Sequence, residues 1–175
     1  MQRTISLSLK KDSVLCETIL LYNQIVNEHV AYALKHNILS KNSLHHCLYK
    51  DLRKKYPSFH SALLQCARDH AVVMLKGNKM NVCTKKRMDS SIRFDQRSMK
   101  LFLQSGEIQF TTLEGRKKYK VKVADHFKKY FLWDVKSLNV GMNNKHLLVK
   151  VVVEGKVAEQ SICGEVLGID LGLRN

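Results

Sequence analysis

Val166-Leu167-Gly168-Ile169-Asp170-Leu171-Gly172-Leu173-Arg174-Asn175 closes the sequence, with one carboxylate held between two glycines in a short apolar run. An apolar run of about four to eight residues bounded by glycine reads as a buried strand. A carboxylate inside such a strand costs several kcal/mol of desolvation unless a cation or hydrogen-bond donors compensate it. Metal binding or phosphate chemistry is the usual compensation, and the flanking glycines let a ligand or a second backbone approach closely. The plainer alternative is that Asp170 caps the turn after a core strand.

Outward from this stretch the chain is strongly basic. Its 175 residues carry 30 Lys and Arg against 15 Asp and Glu, a formal charge of +15, with 45% hydrophobic residues. That apolar content supports a core and argues against disorder, and the charge points to a polyanion as partner. The charge is concentrated: residues 76–150 hold 18 cations against 6 acids, a net +12. The five cysteines, Cys16, Cys47, Cys66, Cys83 and Cys163, are scattered with no C-x-x-C pair. They read as small buried hydrophobes in a reducing cytoplasm, not as a disulfide framework or a zinc site. Met1-Gln2-Arg3-Thr4 does not open a signal peptide, and no apolar run approaches the ~20 residues of a membrane span.

Arg3 to Leu9 alternates as a half-buried strand with Ile5, Leu7 and Leu9 on one face. The period then changes. Leu15, Ile19, Tyr22, Val26, Val30 and Ala33 predict an amphipathic helix to about His36, capped by Asp12 or Ser13 and stopped at Asn37. Asn42 or Ser43 opens a second helix with Leu44, Leu48 and Leu52 on one side and Lys50, Arg53, Lys54 and Lys55 in its later turns. A third helix is expected from about Phe59 to Lys76, with Phe59, Leu63, Cys66, His70 and Val73 inward and Gly77-Asn78 as its stop. His45, His46, His60 and His70 lack the Cys or acidic neighbours of a metal site and read as ordinary core or surface histidines.

The densest cationic stretch is Lys76 to Arg97, with Lys76, Lys79, Lys85, Lys86, Arg87, Arg93 and Arg97 in one loop. Such a loop repels itself unless phosphates neutralise it, and Arg93-Phe94 offers a base-stacking ring, although a core Phe is the commoner outcome. Ser98 to Val123 reads as a meander of short strands: Met99, Leu101 and Leu103 alternate, with turns at Ser105-Gly106 and Glu114-Gly115. Beyond Arg116 and Lys117, its last strand puts Tyr119, Val121 and Val123 on a core face and Lys118, Lys120 and Lys122 in a one-sided stripe suited to a nucleic-acid backbone. Ala124 to Phe131 reads as a helical crossover capped by Asp125. A hairpin of Trp133–Val140 and Lys145–Glu154 around Gly141-Met142-Asn143-Asn144 follows, then a linker into the Asp170 strand.

The closing motif, with Ser91-Ile92-Arg93-Phe94-Asp95, Leu113-Glu114-Gly115-Arg116 and the order strand, helices, strands, hairpin, resembles the TnpB (OrfB) family of insertion-sequence proteins. These are RNA-guided DNA nucleases with a RuvC-like domain. The resemblance spans essentially the whole chain, and the tight motif is its last ten residues. It implies an α+β fold: a wedge-type β-barrel interrupted by an inserted helical bundle, followed by the first strand of an RNase H-like (RuvC) domain. The implied segments are 1–10 as the first barrel strand, 11–90 as the helical recognition insertion, 91–158 as the remaining barrel strands and hairpin, and 159–175 as the start of the nuclease domain.

The resemblance further implies guide RNA and target DNA as partners, no membrane, and a prokaryotic, nucleoid-associated cytoplasmic location. Asp170 would be the first Mg²⁺ ligand of the catalytic set. The sequence ends at Asn175 without the other carboxylates, and one carboxylate does not build a two-metal site, so neither cleavage nor a bound cofactor is expected of this chain alone. The expected nucleic-acid-binding residues are Arg53, Lys54, Lys55, Lys76, Lys79, Lys85, Lys86, Arg87, Arg93, Arg97, Arg116, Lys117, Lys118, Lys120 and Lys122. Gly168 to Gly172 also resembles the first phosphate loop of actin-like ATPases, but there the motif stands near the chain start and is followed by a small hydroxyl residue. The alternative of another class is a sequence-specific DNA-binding regulator or transposase arm using the second and third helices as a helix-turn-helix. Against it, the turn holds Pro57 and the third helix is too apolar to lie freely in a groove.

Overall fold

Alternation fixes the register of the first strand, β1 (Gln2–Lys10), whose Ile5, Leu7 and Leu9 are buried while their neighbours are exposed. The computed structural model describes residues 1–78 and 85–156. The partner of β1 comes from the far end of that range. It pairs antiparallel with β7 (His146–Glu154), which pairs with β6 (Asp134–Met142), which pairs with β2 (Ile92–Phe94). Directly opposed residues share a face, so two apolar rows cross the whole sheet: Ile5–Val151–Leu138–Phe94 and Leu7–Val149–Val140–Ile92. All eight side chains are buried. A slip of one residue in any strand would expose its half of a row.

The second sheet is a meander of β3 (Met99–Phe102), β4 (Glu107–Thr112) and β5 (Gly115–Lys120). Its inner rows are Met99–Phe110–Lys117 and Leu101–Ile108–Tyr119. The sheets meet through rings, with Phe94 and Phe110 centroids 4.8 Å apart and Phe110 and Tyr119 5.8 Å apart. The fold is therefore mixed α+β with two antiparallel sheets. The described strands do not close into the expected barrel: β2 has only three residues, and an Asp95 turn diverts the chain so that β3 pairs with β4 instead of continuing the first sheet.

Three helices stand between β1 and β2. The first, α1 (Ser13–His36), begins where the Leu15 N–H donates to Asp12 Oδ1 at 2.8 Å and ends at Asn37 in a left-handed conformation. The second, α2 (Lys41–Lys55), starts earlier than Asn42 or Ser43, because Ser40 takes the cap. The third, α3 (Ser61–Gly77), is capped by the His60 imidazole, whose Nδ1 accepts from the Ala62 N–H. The buried stripe of α3 holds Leu63, Leu64, Ala67, Ala71 and Leu75, which rotates Val73 outward to 62% exposure, contrary to its expected inward place. The crossover is a 3-10 turn, Asp125–Tyr130; Asp125 does not cap it and instead pairs with Lys128 at 2.8 Å. The hairpin strands extend to Met142 and begin again at His146, narrowing the expected loop to residues 143–145.

His29 lies in α1 at 2% exposure, its Nδ1–H donating to the Ile25 carbonyl at 2.9 Å. Burial pushes its pKa from 6.5 down to about 4. Nearby Arg68 lowers it further, while the Ile25 hydrogen bond and the carboxylates of Glu28 and Asp69 oppose the drop. Above pH 6.5 the imidazole is neutral in both folded and unfolded chains. Between pH 6.5 and about 4 the unfolded chain takes up a proton that the folded chain refuses, so stability falls as the pH falls through that window. The expected loss at pH 4.5 is roughly 2–3 kcal/mol, at about 1.4 kcal/mol per unit. Urea midpoints at pH 7 and 4.5 measure it, and His29→Gln should reduce the difference by about that amount. A wild-type midpoint unchanged between those two pH values would rule out a buried neutral imidazole.

Candidate nucleic-acid interface

The inner side of the meander is fixed to α1 by polar contacts as well as by its apolar rows. Tyr119 donates from its hydroxyl to Asp12 Oδ1 at 3.0 Å, and the Leu113 N–H donates to Thr18 Oγ1 at 3.2 Å. Burial first, and then the adjoining Asp12 carboxylate, push the Tyr119 pKa up, so the phenol stays a donor at neutral pH. With the inner face held this way, the outer face is turned to solvent. Opposed residues on it form the rows Lys118–Gln109–Lys100 and Lys120–Glu107–Phe102. Lys100, Phe102, Lys118 and Lys120 are exposed, and Glu107 is the one acid of this face. Neighbouring strands lie about 4.8 Å apart, so Lys100 and Lys118 stand roughly 10 Å apart across the sheet.

At one end of the meander, Arg116 donates to the Arg97 carbonyl at 3.1 Å. Arg97 itself is committed to the turn after β2. Asp95 Oδ1 accepts from the N–H groups of Arg97 and Ser98, and Asp95 Oδ2 accepts from Arg97 Nε at 2.9 Å and from the Cys66 thiol at 3.3 Å. Burial raises the Asp95 carboxyl, but the Arg97 and Cys66 bonds outweigh it and hold the carboxyl below its ordinary range. Burial, with Asp95 alongside, pushes the Cys66 thiol up to about 12, so it is a weak donor and not a thiolate nucleophile.

The basic loop leading into β2 is not a freely solvated run. Asn27 brackets Lys86, its Nδ2 donating to the Lys86 carbonyl at 2.9 Å while the Lys86 N–H donates to Asn27 Oδ1 at 2.7 Å. One turn earlier on α1, buried Asn23 donates from Nδ2 to the carbonyls of Met88 and Ser90, each at 2.7 Å. Residues 86–90 thus form a strap across α1. The Lys86 ammonium turns inward to donate to the Ser91 carbonyl at 2.7 Å, beside His70 at 3.2 Å and over the Tyr22 ring. Burial brings its pKa down to about 8, and burial together with Lys86 and Arg93 brings His70 down to about 4.

The cations expected to bind nucleic acid therefore fall into distinct settings. Arg53 donates to the Phe59 carbonyl and secures the turn between α2 and α3. Lys55 pairs with Glu28, Arg87 with Asp89, Arg97 with Asp95 and Lys117 with Glu114, and Lys86 is spent on the strap. Lys54, Lys76, Lys85, Arg93, Lys118, Lys120 and Lys122 are exposed and form no ion pair among the described residues. Lys79 and Asp170 lie outside the described residues, as does the whole Val166–Leu171 stretch. Phe94 is fully buried between the sheets and is not a stacking platform. Lys100 and Phe102 were not among the expected residues. The alternation that puts Met99 and Leu101 inside places both on the solvent face.

A cleft of about 440 Å³ opens beside α3 and β2, lined by Lys41, Cys66, Asp69, His70, Val73, Arg93, Asp95 and Asn139. Its carboxylates are already engaged, Asp69 by Arg68 and Lys41 and Asp95 by Arg97. Among the described residues no group of three or more His, Cys, Asp or Glu side chains is placed to hold a metal ion. No described helix is long and apolar enough to cross a membrane. No protein-family model matches the sequence, and no curated protein matches it.

Proposed function

We propose that the chain is the nucleic-acid-binding amino-terminal half of a TnpB-like RNA-guided DNA endonuclease, gripping guide RNA and target DNA through its basic surface. In this reading the two sheets are the strands of a wedge-type module and α1–α3 are its inserted recognition helices. Residues 159–175, which lie outside the described residues, carry the sequence motif that resembles the first RuvC motif. The observation that carries the proposal is the outer face of the meander, where, among the described residues, Lys100, Lys118 and Lys120 are exposed without an ion pair and a single acid, Glu107, accompanies them. A sheet face of this kind holds phosphates without reading bases, and sequence would then be read by guide pairing. The order of elements adds support, since three helices separate β1 from the sheet it completes.

A helix-turn-helix reading finds less support: α3 commits Leu63, Ala67, Ala71 and Leu75 to the core. The test is recovery of nucleic acid from protein purified without nuclease and washed at low and high salt. A discrete structured RNA is the expected result. Random RNA and DNA, removed by moderate salt, would overturn the guide-holding reading and leave only a basic surface.

A further inference from the structure

The outer face of the meander combines cations with an exposed ring, and that combination distinguishes single strands from duplexes. Phe102 is 47% exposed, whereas Phe59, Phe94 and Phe110 are essentially inaccessible and Phe127 and Phe131 are half-buried. It is thus the most exposed phenylalanine among the described residues. It has company: Phe102 shares its row with Glu107 and Lys120, and the adjacent row is Lys100–Gln109–Lys118. A cation therefore stands on each outer strand, with Lys100 two residues from Phe102 on one and Lys118 and Lys120 on the other. The central strand offers Glu107, which rejects phosphate, and Gln109, which both donates and accepts.

We propose that this face is a platform for single-stranded nucleic acid, with one base stacked on Phe102 and the backbone held by Lys100, Lys118 and Lys120. The inference rests on the reading of the chain as a nucleic-acid binder and adds the strandedness of what this face holds. A paired base hides both its π-faces in the stack, whereas an unpaired base lies flat on an aromatic ring. A duplex meets a flat sheet only through its phosphates, and the central Glu107 repels these. For a single strand stacked on Phe102 the same carboxylate lies under the bases and away from the backbone. Stacking and charge are thus separable here, because Phe102 and the lysines are different side chains on one rigid sheet.

The test is fluorescence anisotropy on the full chain, with a short single-stranded RNA, the same sequence as DNA, and the corresponding duplexes. The expected result is tighter binding of single strands than duplexes. Phe102→Ala should weaken single-strand binding roughly tenfold and leave duplex binding unchanged, and Phe102→Trp should restore it. The RNA and DNA arms show which backbone the face prefers. Circular dichroism and melting of Phe102→Ala should match wild type, since the ring is exposed. If Phe102→Ala is silent while Lys118→Glu with Lys120→Glu weakens both forms, the stacking platform is refuted and the polyanion-binding reading stands. If neither form binds at low salt, both are refuted.

Discussion

Phe110→Ala is expected to lower the free energy of unfolding by roughly 3–5 kcal/mol. The ring is fully buried on the central strand of the meander, and it sits between Phe94 of the first sheet and Tyr119 of its own neighbour. It is one of the side chains through which the two sheets share a core. Each of its neighbours lies on or beside paired backbone, so the space left by the ring does not collapse readily and the cavity adds to the lost transfer energy. Phe110→Leu should cost less, because most of the volume remains. Urea unfolding monitored by far-ultraviolet circular dichroism decides it. A loss below about 1 kcal/mol would mean that the two sheets do not depend on this seam.

The second large effect is expected at Asn23. Asn23→Ala removes both hydrogen bonds that hold the Met88 and Ser90 carbonyls to α1, and leaves those carbonyls beside a small apolar methyl. Met88 is exposed and Ser90 half-buried, so the freed carbonyls recover part of their hydrogen bonding from water, and the expected cost is roughly 1–3 kcal/mol. The loss should be local as well as global. Hydrogen exchange of the Lys86 amide, which donates to Asn27, should accelerate in the variant because the strap loses half of its clamp. Unchanged stability together with unchanged exchange at Lys86 would contradict the strap.

Much of the fold is legible locally. The alternation of β1, the caps at Asp12 and Asn37, and the apolar spacing of α1 from Leu15 to Ala33 follow from period and cap chemistry, and each appears where expected. The start of α2 is less legible, because Ser40, Asn42 and Ser43 are all competent caps and only backbone geometry selects Ser40. Val73 stands one step of helical phase from its expected inward place, because the stripe on α3 is built from Leu63, Leu64, Ala67 and Ala71. The strap is illegible in the sequence for another reason. Asn23 and Asn27 bind carbonyls about sixty residues away, so a run that reads locally as self-repelling cations is held by partners outside any sequence window. Two open sheets in place of a barrel reflect the same limit, since pairing between distant strands decides closure.

The candidate interface divides similarly. Lys118 and Lys120 were legible from alternation, and so were Lys100 and Phe102 once Met99 and Leu101 were assigned to the core. The engagement of Arg53, Lys86 and Arg97 was not legible, because their partners Phe59, Ser91 and Asp95 are recognised only through turn geometry.

The most direct measurement is the salt dependence of binding to a single strand, comparing wild type with the Lys100→Gln, Lys118→Gln, Lys120→Gln triple variant. A control triple variant changes Lys55, Arg87 and Lys117 to Gln; it loses the same formal charge from residues already paired with carboxylates. Each phosphate contact contributes about 0.7 to the slope of log affinity against log salt on a single strand. The expected result is a slope shallower by about 2 in the first variant and nearly unchanged in the control. Equal slopes in all three proteins would contradict the meander face as the surface that holds the nucleic acid.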